Sequence, residues 1–124
     1  MRLSAPVPIL RIFDIAKARE FYLDFLGFEV KFEHRFGPDF PLYMGVQRGA
    51  CELHLSEHHG DASPGAALRI EVDNIDALHA ELTAKAYRYA KPSIEAKPWD
   101  TREMSLKDPF GNRLDFCAVN RANG

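Results

Sequence analysis

Apolar and polar positions along this chain switch between a period of two and a period near 3.6, and the same order of periods occurs twice. Val7 to Ile12 is rich in branched residues and predicts a strand covered on both faces. Asp14 stands where a helix cap belongs. Ile15, Ala18, Tyr22 and Phe25, widened by Phe21 and Leu26, then form a stripe at helical spacing, while Lys17, Arg19, Glu20 and Asp24 face outward. Gly27 is placed to stop this helix in a left-handed conformation. Phe28 to Phe32 predicts a second strand, residues 34–41 a loop with Gly37, Pro38 and Pro41, and Tyr43 to Val46 with Glu52 to Leu55 a hairpin around Arg48-Gly49-Ala50.

Residues 58–65 are polar, contain Gly60, Pro64 and Gly65, and read as a linker. After them the pattern restarts. Leu68-Arg69-Ile70 repeats Leu10-Arg11-Ile12, and a second helix with Asp73 or Asn74 as cap uses Ile75, Leu78 and Leu82 as its stripe. Lys85-Ala86-Tyr87 offers no glycine, so this helix is expected to end differently from the first. Tyr87 to Ala90 predicts a strand and residues 91–97 a loop. Glu103 to Lys107 and Arg113 to Phe116 alternate as a terminal hairpin around Asp108-Pro109-Phe110-Gly111-Asn112.

Both halves therefore read β-α-β-β-β. The expectation is an α+β fold in one domain, residues 1–124, built from two tandem modules at about residues 5–58 and 65–119. Such a unit does not close its own sheet. It buries its open face against a second unit, from the same chain or from another copy, and a pocket between curved mixed sheets follows.

Composition narrows the partners. With 124 residues, 46% of them hydrophobic, the chain is large enough for one core and too short for two ordinary domains. Sixteen basic and eighteen acidic residues give a formal charge of -2, which is no footprint for nucleic acid. No run approaches the ~18 apolar residues of a membrane span, and no signal-peptide core opens the chain, so a cytoplasmic protein without a membrane partner is expected. Cys51 and Cys117 fall in strand-like runs as ordinary reduced thiols.

The chain's one tryptophan, Trp99, is flanked by Pro98, Asp100, Arg102 and Glu103, a poor setting for a core ring. It either stacks on a ligand at the mouth of a pocket or is buried in the ordinary way. Phe36 and Phe40 either pack under their loop or line a site. Arg102 and Glu103 follow Trp99 closely enough to reach the same ligand, or form a cross-strand ion pair. Arg11 and Arg69, at equivalent places, read as structural partners of carboxylates. His58 and His59 are neighbours in a polar loop and read as surface residues.

With a duplicated β-α-β-β-β unit, an Asp108-Pro109-Phe110-Gly111-Asn112 turn and Pro98-Trp99-x-x-Arg102-Glu103 ahead of it, the chain resembles the glyoxalase, bleomycin-resistance and extradiol-dioxygenase superfamily, also called vicinal oxygen chelate proteins. It is most similar to the bleomycin-resistance branch, whose pattern Leu53-His54-Leu55-Ser56-Glu57-His58-His59-Gly60-Asp61 also resembles. Enzymes of the superfamily hold a divalent metal with four side chains, two from each half. Carried over, those positions fall on Val7, Glu52, Ala67 and Asp115. Two carboxylates without an imidazole hold a transition metal poorly, although His54 shares a strand face with Glu52, and Glu52, His54 and Asp115 could form a carboxylate–histidine–carboxylate set. Otherwise these three are a hydrogen-bonded polar cluster or touch a ligand.

The resemblance implies a binding protein without catalysis or cofactor: a homodimer that sequesters a flat cationic drug such as bleomycin. Trp99, Phe32, Phe36 and Phe40 would meet its rings, Glu52, His54, Arg102, Glu103 and Asp115 its polar groups, and Glu33, Asp39 or Asp100 its positive tail. The alternative is a metal-dependent lyase, isomerase or dioxygenase of the same superfamily.

Overall fold

Two four-stranded sheets, one from each half of the chain, organise the computed structural model, which describes residues 1–119. The first half contributes β1 (Ile9–Arg11), α1 (Ile15–Arg19) running into a π-helical turn (Glu20–Phe25), β2 (Glu29–His34), β3 (Tyr43–Arg48) and β4 (Cys51–Ser56). The second contributes β5 (Ala67–Glu71), α2 (Ile75–Ala84), β6 (Glu95–Ala96), β7 (Thr101–Lys107) and β8 (Arg113–Val119). The sheet orders are β1-β4-β3-β2 and β5-β8-β7-β6. In each, the first strand runs parallel to the last and the other pairs are antiparallel. This is the duplicated α+β arrangement expected from the repeat; residues 120–124 of the expected domain lie outside the described residues.

The helices start as their sequences dictate. Asp14 Oδ1 accepts from the Lys17 amide at 2.9 Å and Asn74 Oδ1 from the Ala77 amide at 3.0 Å, each satisfying a first-turn donor that has no partner within the helix. The first helix widens in its second half, where the Leu26 amide donates to Phe21 O at 2.9 Å. It ends at Gly27 with φ of 74°. The second ends in the same way, contrary to expectation, at Ala86 with φ of 49°. Left-handed alanine costs on the order of 1 kcal/mol, offset here by the Ala86 amide bonding Thr83 O at 3.1 Å and by Lys85 Nζ reaching Asp24 O and Phe25 O of the first helix.

One continuous core lies between helices and sheets. Leu10, Met44, Val46, Leu53 and Leu55 from the first sheet meet Phe21, Tyr22 and Phe25. Met104, Leu106, Leu114 and Phe116 from the second meet Ile75 and Leu82. Strand alternation then turns the remaining side chains of both sheets away from the helices. Val7 and Ile9 are 39% and 41% exposed, so the first strand is covered on one face only and is shorter than the apolar run that predicted it. Tyr87 to Ala90 is not a strand. Its aromatic residues are drawn onto the first helix instead, Tyr87 packing against Phe25 at 4.7 Å and donating to Glu20 at 2.8 Å, and the second strand of that half is the short β6.

The Asp108–Asn112 turn ties the two modules together. Asp108 Oδ1 accepts from the amides of Phe110 and Asn112, both at 2.8 Å, and Oδ2 accepts from Asn112 Nδ2 at 2.8 Å and from the Tyr22 hydroxyl at 2.7 Å. Asn112 Nδ2 also donates to Arg11 O at 2.9 Å, while its Oδ1 accepts from the Ala66 amide at 3.2 Å. Asp108 and Asn112 are buried, and Gly111 supplies the positive φ of 89° that the turn needs. Burial first, and the Asp108 charge second, push the Tyr22 hydroxyl far up, so it remains a donor. Tyr22→Phe leaves one carboxylate oxygen short of a partner without changing the ring, and is expected to lower stability by about 1–3 kcal/mol in urea unfolding. An unchanged midpoint would remove the turn from its place at the centre of the fold.

Candidate functional site

The sheet faces turned away from the helices carry most of the candidate residues. On the first sheet the register pairs Ile9 with His54 and Gly45 with His54, which sets Ile9, Arg11, Tyr43, Gly45, Glu52 and His54 on one face. A chain of polar contacts runs across it. Lys31 Nζ donates to Glu52 Oε1 at 2.7 Å, His54 Nε2 lies 2.7 Å from Glu52 Oε2, and the Tyr43 hydroxyl lies 2.7 Å from His54 Nδ1. One neutral tautomer satisfies both histidine contacts, with Nε2–H donating to Glu52 and Nδ1 accepting from Tyr43. Lys31 first and His54 second hold the Glu52 carboxyl below its ordinary range. Burial, with the Asp61 charge, raises the Tyr43 hydroxyl.

Phe32 of β2 lies over this network. Its ring rests on Gly45, where any Cβ would overlap it, and it meets the His54 ring edge-on at 5.1 Å and the Tyr43 ring at 6.1 Å. Phe36 in the following loop touches His34 at 4.8 Å and His58 at 6.3 Å, and is 74% exposed; Phe40 is exposed too. Packing beneath the loop therefore does not account for these two rings. Tyr43 and Lys31 were not among the expected site residues. The signal that would have found Tyr43 is Gly45, since a glycine inside a strand marks a close approach and sets the face on which its alternate neighbours lie.

On the second sheet, Trp99 sits in the tight turn between β6 and β7. Pro98 presets the turn, the Asp100 amide donates to Lys97 O at 3.1 Å, and Asp100 closes it at φ of 66°. The indole is 59% exposed, yet its orientation is fixed, because Nε1 donates to Glu103 Oε2 at 2.8 Å. Glu103 is itself buried. It takes two bonds from Arg69 at 3.2 Å and one from the Thr101 hydroxyl at 2.6 Å. Arg69 first, then Thr101 and Trp99, draw its carboxyl down to about 2. Lys97 Nζ lies 5.9 Å from the indole centroid.

Arg102 does not join Trp99. Alternation along β7 turns it to the helix side, where it makes a two-bond pair with Asp76 at 2.8 Å. Arg69 has the carboxylate expected of it, but among the described residues Arg11 does not: its guanidinium stacks on Phe13 at 4.7 Å, and its buried Nε meets no hydrogen-bond partner there. Glu33 is engaged with Arg19, whereas Asp39 and Asp100 are exposed. Cys51 and Cys117 are free thiols, raised by burial.

The superfamily metal positions do not fit a metal ion. Val7 and Ala67 have no ligand atoms, Glu52 is committed to Lys31 and His54, and Asp115 belongs to the other sheet, where Ser105 Oγ donates to it at 2.6 Å and Arg113 Nε at 3.3 Å. Among the described residues no three histidine, cysteine or acidic side chains converge, so Glu52, His54 and Asp115 do not form a set within one chain. Among the same residues no helix is long and apolar enough to cross a membrane.

Two sheets of order 1-4-3-2, each with a polar and aromatic face left open, define a chain of the vicinal oxygen chelate type. The family described as glyoxalase superfamily protein matches residues 1–124, and the chain belongs to that family. A bleomycin resistance protein of Geobacillus stearothermophilus is 27% identical over 89% of this chain and 92% of its own length. Among solved structures, the bleomycin-binding protein of bleomycin-producing Streptomyces verticillus, complexed with copper(II)-bleomycin, is 31% identical with a TM-score of 0.69, over 98% of this chain and 99% of that one. The bleomycin resistance determinant encoded on transposon Tn5 superposes with a TM-score of 0.75 at 20% identity, covering 96% and 100%.

The Glu103 clamp has a pH signature. Its folded pKa, about 2, lies below the ordinary 4.5, so its contribution to stability is complete above about pH 4.5 and is lost as pH falls through about 2. Glu103→Gln is expected to flatten the acid limb of the stability profile relative to the wild type, and to shift Trp99 emission already at neutral pH. Coincident acid limbs and unchanged emission in the two proteins would show that the carboxylate does not hold the indole.

Proposed function

We propose that this chain is a non-catalytic binding protein for a flat, cationic, bleomycin-type molecule, acting in the cytoplasm by sequestration. The observation that carries this reading is the half-exposed indole of Trp99, held rigid by a buried carboxylate on an uncovered sheet face. A large ring already fixed in orientation binds another ring without first losing rotamer freedom. Its likeness to proteins whose names include bleomycin resistance and bleomycin binding supports the ligand class.

In this reading the chain works as a homodimer. The open face of one protomer's first sheet, with Phe32, Phe36 and Phe40, closes a groove with the partner's second sheet, bringing Trp99 and the Glu52–His54 and Asp115 groups to its walls. Exposed apolar side chains at Val7, Ile9 and Phe32 on that face support such a cover. Asp39 and Asp100 lie nearest the rings in sequence and meet the positive tail.

Because Trp99 is the chain's one tryptophan, its emission reports on this face alone. Bleomycin is expected to quench it along a saturable curve, and Trp99→Ala to weaken binding by about 1–3 kcal/mol while leaving the urea midpoint nearly unchanged. A flat titration by both fluorescence and calorimetry would overturn the ligand, and a monomer mass by light scattering at tens of micromolar would overturn the shared groove. The protein is also expected to carry no stoichiometric transition metal. Elemental analysis finding zinc, nickel or iron that is lost on Glu52→Gln would favour the metal-dependent reading instead.

A further inference from the structure

The junction between the modules holds a second concavity, of about 290 Å³, distinct from the open sheet faces. Lys17 and Phe21 come to it from the first helix, Tyr87 and Tyr89 from the segment after α2, and Lys107, Asp108 and Pro109 from the end of β7. Its floor is aromatic. Tyr87 is braced by Phe25 at 4.7 Å and by Tyr89, edge-on, at 5.7 Å, and Tyr89 is 63% exposed.

The charges around it do not cancel. Asp108 spends all four acceptor positions on Tyr22, Phe110 and Asn112, and Glu20 accepts from the Tyr87 hydroxyl. Among the described residues Lys17, Lys107 and Arg88 take part in no ion pair. Lys17 Nζ stands 5.2 Å and Arg88 Cζ 5.6 Å from the Tyr89 centroid. The three cations outnumber the two neighbouring carboxylates, whose acceptor sites are filled by neutral donors, and this balance favours an anion. An aromatic floor favours a ring, and the volume limits the guest to something smaller than a drug-sized molecule.

We propose that this junction binds a small planar aromatic carboxylate, with its ring against Tyr87 and Tyr89 and its carboxylate between the ammonium groups of Lys17 and Lys107. The site is independent of the open-face reading, because it uses none of the same residues.

The test is a titration of the whole chain with 1-naphthoate, followed by backbone amide shifts in NMR, with neutral 1-naphthamide as control. Saturable shifts are expected at residues 17, 21, 87, 89 and 107, without movement of the Trp99 indole signal. Naphthamide should bind about tenfold more weakly or worse, and Lys17→Gln with Lys107→Gln should weaken naphthoate by about tenfold at an unchanged melting temperature. Tyr89→Ala should weaken both compounds. The proposal is overturned by a lack of saturation at millimolar naphthoate, by shifts centred on Trp99 and Phe32, or by equal affinity for acid and amide.

Discussion

The buried Asp108–Asn112 turn is the constraint on which the rest of this structure depends. A carboxylate withdrawn from water must have its acceptor sites filled, and here the donors come from the turn itself and from Tyr22, eighty-six residues earlier in the chain. Asn112 extends the same network to the backbone of β1 and to the end of the linker. The position of the first helix, the start of the second module and the terminal hairpin are thereby set by one polar cluster. Around it, Arg48 bonds Leu26 O at 2.8 Å and Glu81 through two bonds, and Lys85 reaches carbonyls of the first helix. These outer contacts are partly exposed and individually weak, whereas the inner cluster is dry and costly to break.

Fixing the modules against each other through their helices and turns leaves one face of each sheet without a cover. That explains why apolar strand residues such as Ile9 and Phe32 remain exposed, and why the polar residues among them are so fully paired. Glu52, Glu103 and Asp115 each have a basic partner. The open faces are therefore not bare charged surfaces but rings set among compensated ion pairs.

Much of this was legible in the sequence because it rests on local rules. The period-3.6 stripe, the Asp14 and Asn74 caps, Gly27 and the Asp-Pro-x-Gly-Asn turn each state their conformation within a few residues. What was not legible depends on partners distant in the chain. Tyr87 reads as strand by propensity, but Phe25 and Glu20 outbid the sheet for it. Ala86 adopts the glycine conformation because the first helix receives Lys85 beside it. Arg102 and Glu103 are adjacent in sequence and fall on opposite faces, so Glu103 meets Trp99 while Arg102 pairs with Asp76, a division that spacing alone leaves open.

The magnitudes say which part of an open face would dominate binding. An exposed ion pair contributes about 0–1 kcal/mol and is weakened by salt. A tryptophan offers up to ~250 Å² to burial, and with 59% of Trp99 uncovered, closing over it at about 25 cal/mol per Å² yields at most on the order of 4 kcal/mol. Glu103 would add to this even without touching a ligand, since an indole already held by its N–H saves about 0.5–1.5 kcal/mol of ordering that a free side chain would lose. Recognition on such a face would thus be governed by the rings, and the paired charges would act by orienting them: the buried carboxylate fixes the plane of the indole, and the glycine at position 45 fixes the height at which Phe32 lies over the first sheet.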